Sequence, residues 1–262
     1  MNGPTGDLRA RGVWARLHSE ARARGAGHLV LVDPDRVTPA RAGALAREAS
    51  ASGVGALLVG SSTPLERDPS PVIRALRDAF AGPIVLFPGG PEQVREDVDA
   101  VLFLSLLSGR DSRYLVEAQV AAAPRVFRAG LEPIATAYLL VGDRTAGTVA
   151  RVTGTAPLPA ADPAAIAAHV QAAASLGFAL AYLEAGSGAP EPVPAAVVRA
   201  AVTAVAAAPI PIAVGGGIRR PEQAAALVAA GARFVVTGTV HEEGGAVGPF
   251  TEAIHLPAGA LR

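Results

Sequence analysis

The chain has 262 residues, half of them hydrophobic, and its 23 arginines balance 23 acidic residues without any lysine. The resulting net charge of zero excludes a strongly basic surface of the kind that binds nucleic acid non-specifically. Cysteine is absent, so disulfides, thiolate catalysis and cysteine-ligated metals are excluded as well.

Eight short apolar runs along the chain predict strands. They span residues 28–33, 55–60, 84–89, 100–108, 132–141, 179–186, 211–217 and 233–239. Several are apolar at consecutive positions, which is typical of parallel strands buried on both faces. Stretches of helical length separate most of them, at residues 39–52, 112–129, 163–176, 194–208 and 221–230. Proline opens several of these stretches and glycine follows them, as at helix starts and stops.

This alternation predicts a (β/α)8 TIM barrel of parallel strands, a single domain over residues 1–262 with its core at about 26–245. An open doubly wound sheet is the alternative. Only residues 90–99 separate the third strand from the fourth, and Pro91 opens this segment, so we expect the barrel to lack a full third helix. Such a gap would admit a long ligand or be covered by a partner subunit.

The chain carries no clear targeting or membrane segment. Residues 1–8 lack an apolar signal core, and the uncharged run at 164–183 is Ala-rich and includes His169, Gln171 and Gly177. We therefore expect a cytoplasmic protein without a transmembrane segment.

Active sites of such barrels lie at the carboxyl ends of the strands. The first strand ends in Asp33-Pro34-Asp35, and carboxylates in a rigid turn suit Mg²⁺. Asp35 is equally well explained as a cap for the helix that begins near Thr38. Hydroxyls at residues 61–63, after the second strand, would ligate a metal, hold a phosphate or cap a turn. Thr136 and Tyr138 on the fifth strand are either hydroxyl donors or barrel filling.

The segment at residues 182–189 (YLEAGSGA) changes from a buried strand to a loop of small residues. Such a loop lets backbone N–H groups approach an anion closely. Glu184 lies at the junction, where it would act as a base on a phosphorylated substrate or be a solvated turn residue. Glycine turns at residues 215–217 and 238–239 follow the last two strands. Together the three turns predict a site for a phosphorylated ligand.

These segments resemble the geranylgeranylglyceryl phosphate synthases, which are related to the bacterial heptaprenylglyceryl phosphate synthases. The matching motifs are LVDPDR (31–36), VGSST (59–63), LFLSLLS (102–108) with Tyr114, AYLL (137–140), YLEAGSGA (182–189), VGGGIR (214–219) and VTGT (236–239). The form of the first and fourth motifs is similar to that of the archaeal-type second group of the family. The glycine turns are shared with other phosphate-binding barrels, whereas YLEAGSG is highly specific.

The resemblance implies a Mg²⁺-dependent prenyltransferase. In its reaction the C3 hydroxyl of sn-glycerol 1-phosphate attacks C1 of a polyprenyl diphosphate, geranylgeranyl diphosphate above all, and releases diphosphate. It further implies an ether-lipid precursor as product and a barrel without its third helix. The apolar surface expected beside that missing helix indicates a homo-oligomer, a dimer or hexamer, and we expect at most transient membrane contact. Two departures concern the site: Arg36 replaces the usual Lys, and Ser61 replaces the usual Gly.

By motif position the resemblance assigns the site residues. The Mg²⁺ ligands would be Asp33 and Ser62, and the catalytic pair Glu184, as the base, and Tyr182. The residues expected to bind glycerol phosphate are Tyr182, Leu183, Glu184, Ala185, Gly186, Ser187, Gly188, Gly216, Gly217, Gly238 and Thr239. Two other functions stay open: a sugar-phosphate or amino-acid-pathway isomerase on the same barrel, and a non-catalytic binder of prenyl phosphates.

Overall fold

The computed structural model describes residues 12–142 and 147–255, which contain a closed barrel of eight parallel strands. The strands are β1 Gly27–Val32, β2 Ala56–Val59, β3 Ile84–Leu86, β4 Ala100–Leu106, β5 Glu132–Leu140, β6 Leu180–Glu184, β7 Ile212–Gly215 and β8 Phe234–Thr237. Each strand pairs with the next, and β8 closes the barrel on β1 with Gly27 opposite Phe234 and Val30 opposite Thr237. The predicted TIM barrel is confirmed, and its closure rules out the open doubly wound sheet.

Helices alternate with the strands. The helices are α1 Val13–Ala23, α2 Pro39–Ser52, α3 Ser70–Ala79, α4 Ala118–Ala129, α5 Thr148–Thr153, α6 Pro163–Ser175, α7 Ala195–Ala204, α8 Pro221–Ala229, α9 Thr239–Glu242 and α10 Gly248–Ile254. The residue just before the helix caps α2 and α6, since Thr38 accepts the Arg41 N–H and Asp162 accepts the Ala165 N–H. A single wide turn, Arg113–Glu117, precedes α4.

The third barrel helix is missing, as predicted. Between β3 and β4 the chain forms only a short 3₁₀ turn, Pro91–Gln93. The buried Gln93 side chain holds this connection: its amide donates to the carbonyls of Ser61 and Thr63, and its Oε1 accepts the Gly89 N–H. Hydrogen bonds from one side chain thus fasten this connection to the loop after β2.

The amino-terminal end of the barrel is covered by α1, which the sequence did not predict. Leu17 and Ala21 of this helix are buried against the barrel, and the Trp14 ring lies 5.5 Å from that of Phe234. The helix begins after Gly12, which provides no side-chain cap. Glu132 at the start of β5 supplies one instead, accepting the N–H groups of Val13 (2.8 Å) and Trp14 (3.1 Å).

The core has two layers. Alternate strand residues such as Leu29, Leu58, Ile134 and Tyr182 fill the barrel interior, and their neighbours pack between the sheet and the helices. This alternation decides which side chains at the strand ends enter the site. Within the described ranges, the helices all fall short of the length and apolarity needed to cross a bilayer.

Candidate functional site

A cavity opens at the carboxyl ends of the strands and combines two kinds of lining. On one side lie polar groups and glycine turns from β1, β6, β7 and β8. On the other side lie apolar residues of β3, β4 and α4. One cavity therefore has a polar end with glycine turns and an apolar end.

Glu184, the last residue of β6, lies at the polar end and is only 7% exposed. Its Oε1 accepts the Gly186 N–H at 2.7 Å, and the hydroxyls of Tyr138 and Tyr182 also donate to the carboxylate. Burial raises the pKa of Glu184 from 4.5 to about 7, against the opposing effect of these three donors. A carboxyl with this pKa exchanges a proton near neutrality, which is what a general base requires.

Two tyrosines flank this carboxyl because of strand register. Tyr138 on β5 lies opposite Tyr182 on β6, and both rings pack with Phe87 at centroid distances of 5.3 to 5.9 Å. Burial, together with the nearby Glu184 charge, raises the pKa of both tyrosines well above 10, so both hydroxyls keep their protons and act as donors. Thr136, two residues earlier, donates to the Ile134 carbonyl and is barrel filling.

The glycine turn at the end of β7 packs closely against Glu184 and Tyr182. Gly216 has φ +81°, which favours glycine, and a Cβ there would collide with Glu184 Oε1 and the Gly186 backbone. A Cβ on Gly215 would collide with the Tyr182 hydroxyl. The GGG motif therefore leaves room for the Glu184 carboxyl and the Tyr182 hydroxyl.

The structure brings most of the predicted phosphate-binding residues to the cavity. Its lining includes Tyr182, Glu184, Ser187, Gly188, Gly216, Gly217, Gly238 and Thr239. Gly186 contributes through its N–H on Glu184. Leu183 and Ala185 point the other way, into the apolar layer between sheet and helices, so only their backbone is near the site.

Asp33 forms the opposite corner of the polar end. Its Oδ1 accepts the Asp35 N–H and its Oδ2 accepts the Ser61 hydroxyl at 3.1 Å. Glu242 of α9 reaches the same corner, where it accepts the Asp33 N–H at 3.3 Å and lies 3.5 Å from the Arg36 guanidinium. Burial raises the pKa of Glu242 above its ordinary value. Two carboxylates therefore border the cavity at this corner.

Asp35 in the loop after β1, and Ser61 and Ser62 in the loop after β2, lie in different positions relative to the cavity. Ser62 lines the cavity, while Ser61 makes the hydrogen bond to Asp33. Asp35 accepts the N–H groups of Glu66 and Arg67, so it fastens the loop after β2 and is neither a helix cap nor part of the site. In the described part of the chain no group of three or more His, Cys, Asp and Glu side chains could hold a metal.

The apolar end extends into the gap left by the missing helix. The cavity touches Leu102, Leu104 and Leu106, which face the barrel interior, and also Val101 and Phe103, which face outwards. Outward residues of a barrel strand are normally covered by a helix. Here Ala118 and Ala122 of α4 form the far wall and leave an apolar groove between.

The sequence did not assign two contributors to the site, although it offered Tyr138 as a possible hydroxyl donor. Glu242 carries no local signal beyond its position shortly after a strand-end turn. Thr136 and Tyr138 are two residues apart on β5, so both lie on the same face of the strand. The spacing does not show which of the two hydroxyls lies at the carboxyl end of the strand, where the site is.

Comparison with known proteins agrees with this geometry. The PcrB family model matches residues 18–254. A geranylgeranylglyceryl phosphate synthase of Methanopyrus kandleri is 46% identical over 222 residues, 84% of this chain and 90% of that protein. One of Thermofilum pendens is 42% identical over 223 residues, 85% of each chain.

A solved structure is similar over nearly the full length. It is (S)-3-O-geranylgeranylglyceryl phosphate synthase from Thermoplasma acidophilum in complex with its substrate sn-glycerol-1-phosphate. The identity is 34% and the TM-score 0.86, with coverage of 93% of this chain and 98% of that one. The chain therefore belongs to the PcrB family, alongside these geranylgeranylglyceryl phosphate synthases.

Proposed function

We propose that this protein is a prenyltransferase that joins sn-glycerol 1-phosphate to a polyprenyl diphosphate, geranylgeranyl diphosphate above all. The observation that carries the proposal is the single cavity, in which a buried carboxyl and three glycine turns adjoin an apolar groove. Family membership supports the same assignment.

The turns after β6, β7 and β8 would hold the phosphate of glycerol phosphate, because their glycines let backbone N–H groups approach an anion. Gly216-Gly217 after β7 and Gly238-Thr239 after β8 line the cavity with Glu184, on the next two strands of the barrel. Arg36 and Arg219, at the cavity edge, add positive charge toward the phosphorylated groups.

Glu184 would take the proton of the C3 hydroxyl as its oxygen forms a bond to C1 of the prenyl chain. The bond from C1 to the diphosphate oxygen breaks, and diphosphate leaves with the electron pair. Tyr138 and Tyr182 hold the carboxylate in place by donating to it. The apolar groove between β4 and α4 would keep the prenyl chain extended and away from water.

The corner around Asp33 fits a Mg²⁺ ion. Mg²⁺ uses one or two carboxylates together with substrate phosphate oxygens, and Asp33 and Glu242 provide two carboxylates beside the Ser62 hydroxyl. When bound, Mg²⁺ would neutralise the charge of the leaving diphosphate. Asp33 and Ser62 remain our proposed ligands, with Glu242 as a third candidate.

The test of this assignment is a comparison of wild type with Glu184→Gln. Wild type should form an extractable lipid from sn-glycerol 1-phosphate only when Mg²⁺ is present. The variant should bind glycerol phosphate while turnover falls by about 10²- to 10⁴-fold. Full turnover by the variant at saturating substrates would remove Glu184 as the base. A non-catalytic binder or an isomerase would give no lipid with either form.

We also infer that copies of this chain associate, as a dimer or a hexamer, in the cytoplasm. The outer face of α4 and the turn before it exposes an apolar stripe of Val116, Val120 and Phe127, exposed by 54%, 67% and 65%. In sedimentation velocity, Phe127→Asp should sediment as a smaller species than the wild-type assembly. Leu176→Asp is the matched control, since Leu176 is also exposed, at 69%, but lies at the carboxyl end of α6, away from α4. Equal behaviour of the two variants would reject the stripe as the interface.

A further inference from the structure

A row of buried polar groups lies directly behind the β8 turn. It runs through the side chains of Thr251 on α10, His28 on β1, Thr237 on β8 and His241 on α9, each at most 2% exposed, and ends at the Gly245 carbonyl. These residues lie outside the chemistry assigned above. Buried polar groups need hydrogen-bond partners, and each polar side chain in this row has at least one.

Burial lowers the pKa of both His28 and His241, so both rings are neutral, and for neutral rings the direction of each hydrogen bond in the row follows from its partners. The Gly245 carbonyl can only accept, so His241 Nδ1 carries the proton across 2.9 Å and its Nε2 accepts. The Thr237 hydroxyl must then donate to His241 Nε2 at 2.7 Å, and its oxygen accepts His28 Nε2–H at 2.7 Å. His28 Nδ1 is left to accept the Thr251 hydroxyl at 2.8 Å.

Thr237 is the member closest to the proposed phosphate site. It is the last residue of β8 and precedes Gly238-Thr239 in the chain. The helix that follows, α9, has only four residues, and a helix this short does not hold its own shape. Its position depends on outside contacts, among them the Thr237–His241 hydrogen bond and the Arg41 guanidinium on the His241 carbonyl.

The same helix connects the two halves of the polar end. The Gly238 carbonyl accepts the His241 N–H, and this hydrogen bond links the β8 turn directly to His241. Glu242, the next residue, accepts the Asp33 N–H. A displacement of His241 would therefore disturb the β8 turn.

We propose that Thr237 is a positioning residue for sn-glycerol 1-phosphate: by donating to His241 and accepting from His28 it holds the Gly238-Thr239 turn in the conformation that binds the phosphate. This inference rests on the proposed function, which places the phosphate at that turn. Thr237 acts through its neighbours and takes no part in the chemical step.

The test compares two Thr→Val changes in the same row. Thr237→Val keeps the side-chain shape and leaves both histidine Nε2 atoms without their partner. Thr251→Val removes the hydrogen bonds of the Thr251 hydroxyl to His28 Nδ1 and to the Val247 carbonyl, at the far end of the row and away from the turn, and is the matched control. Steady-state kinetics with both substrates and calorimetric titration with sn-glycerol 1-phosphate are measured for each, together with thermal unfolding.

We expect Thr237→Val to raise both the KM and the Kd for glycerol phosphate by about tenfold or more, the effect of losing one or two hydrogen bonds. Its KM for the prenyl diphosphate should change by less than about twofold, and Thr251→Val should leave all three constants within the same limit. Thr237→Ser, which restores the hydroxyl, should return the constants to wild-type values.

Two results would overturn the inference while leaving the proposed function intact: unchanged glycerol phosphate constants in Thr237→Val, or equal losses in both Thr→Val variants, which would show a structural role only. If Thr237→Val does not fold, a Thr237→Ser variant with wild-type stability and a weakened glycerol phosphate Kd would also overturn it. Wild-type protein that neither binds nor uses glycerol phosphate would instead refute the proposed function, and the inference with it.

Discussion

The ionisation of Glu184 should be visible in the stability of the protein without substrates. The carboxyl is 7% exposed, and burial raises its pKa from 4.5 to about 7. Because the folded pKa lies above the unfolded one, the associated stabilisation is fully present below about pH 4.5 and is lost as the pH rises through about 7. At about 1.4 kcal/mol for each tenfold change in proton affinity, the rise of the Glu184 pKa from 4.5 to about 7 corresponds to about 3 kcal/mol.

Glu184→Gln removes this titration and keeps the side-chain size. The unfolding free energy of the variant minus that of wild type should therefore rise with pH, by about 3 kcal/mol between about pH 5 and about pH 9. Urea unfolding of both proteins at several pH values gives this difference. Other groups with shifted pKa values, such as His28, His241 and Glu242, are present in both proteins and cancel. A flat or falling difference would refute the claim that Glu184 titrates near neutrality.

Three further predictions concern the cavity corner around Asp33, the glycine turn after β7 and helix α1. Asp33→Asn should raise the Mg²⁺ concentration for half-maximal activity by about ten- to a hundredfold; an unchanged Mg²⁺ titration would reject Asp33 as a ligand. Gly216→Ala should abolish glycerol phosphate binding because its Cβ would meet Glu184, whereas Gly177→Ala, with a similar φ of +79° and open space around it, should lose only about 1 kcal/mol of stability. Equal binding by these two variants would contradict the proposed fit. Glu132→Gln should lower the unfolding free energy by about 1 to 3 kcal/mol through weaker capping of α1. Its activity per folded molecule should stay unchanged, since the site lies at the other end of the barrel; a loss of turnover at full folding would argue against that separation.

Much of the barrel follows from local sequence. Consecutive apolar residues predict strands buried on both faces, and all eight predicted runs contain the observed strands apart from Gly27. The missing third helix follows from the short connection, because residues 90–99 must also form the turns out of β3 and into β4 and so leave room for two helical turns at most. The three glycine turns were found because glycine marks close backbone approach wherever it occurs.

The contacts that complete the site depend on the closed barrel. His28 and Thr237 are 209 residues apart in the chain, and Asp33 and Glu242 are equally distant, yet both pairs are neighbours because β8 closes on β1. No local pattern reports such a contact. The cover formed by α1 was missed for a similar reason, because its capping group, Glu132, lies on a strand 118 or more residues away.

The central claim is the transfer of a prenyl group to sn-glycerol 1-phosphate, and product formation tests it most directly. The purified protein is incubated with radiolabelled sn-glycerol 1-phosphate, Mg²⁺ and polyprenyl diphosphates of increasing chain length, followed by organic extraction. Parallel reactions contain labelled sn-glycerol 3-phosphate or omit Mg²⁺. We expect Mg²⁺-dependent label in the organic phase from the first enantiomer only, greatest with geranylgeranyl diphosphate. No labelled lipid at any chain length, from protein that binds sn-glycerol 1-phosphate, would contradict the account.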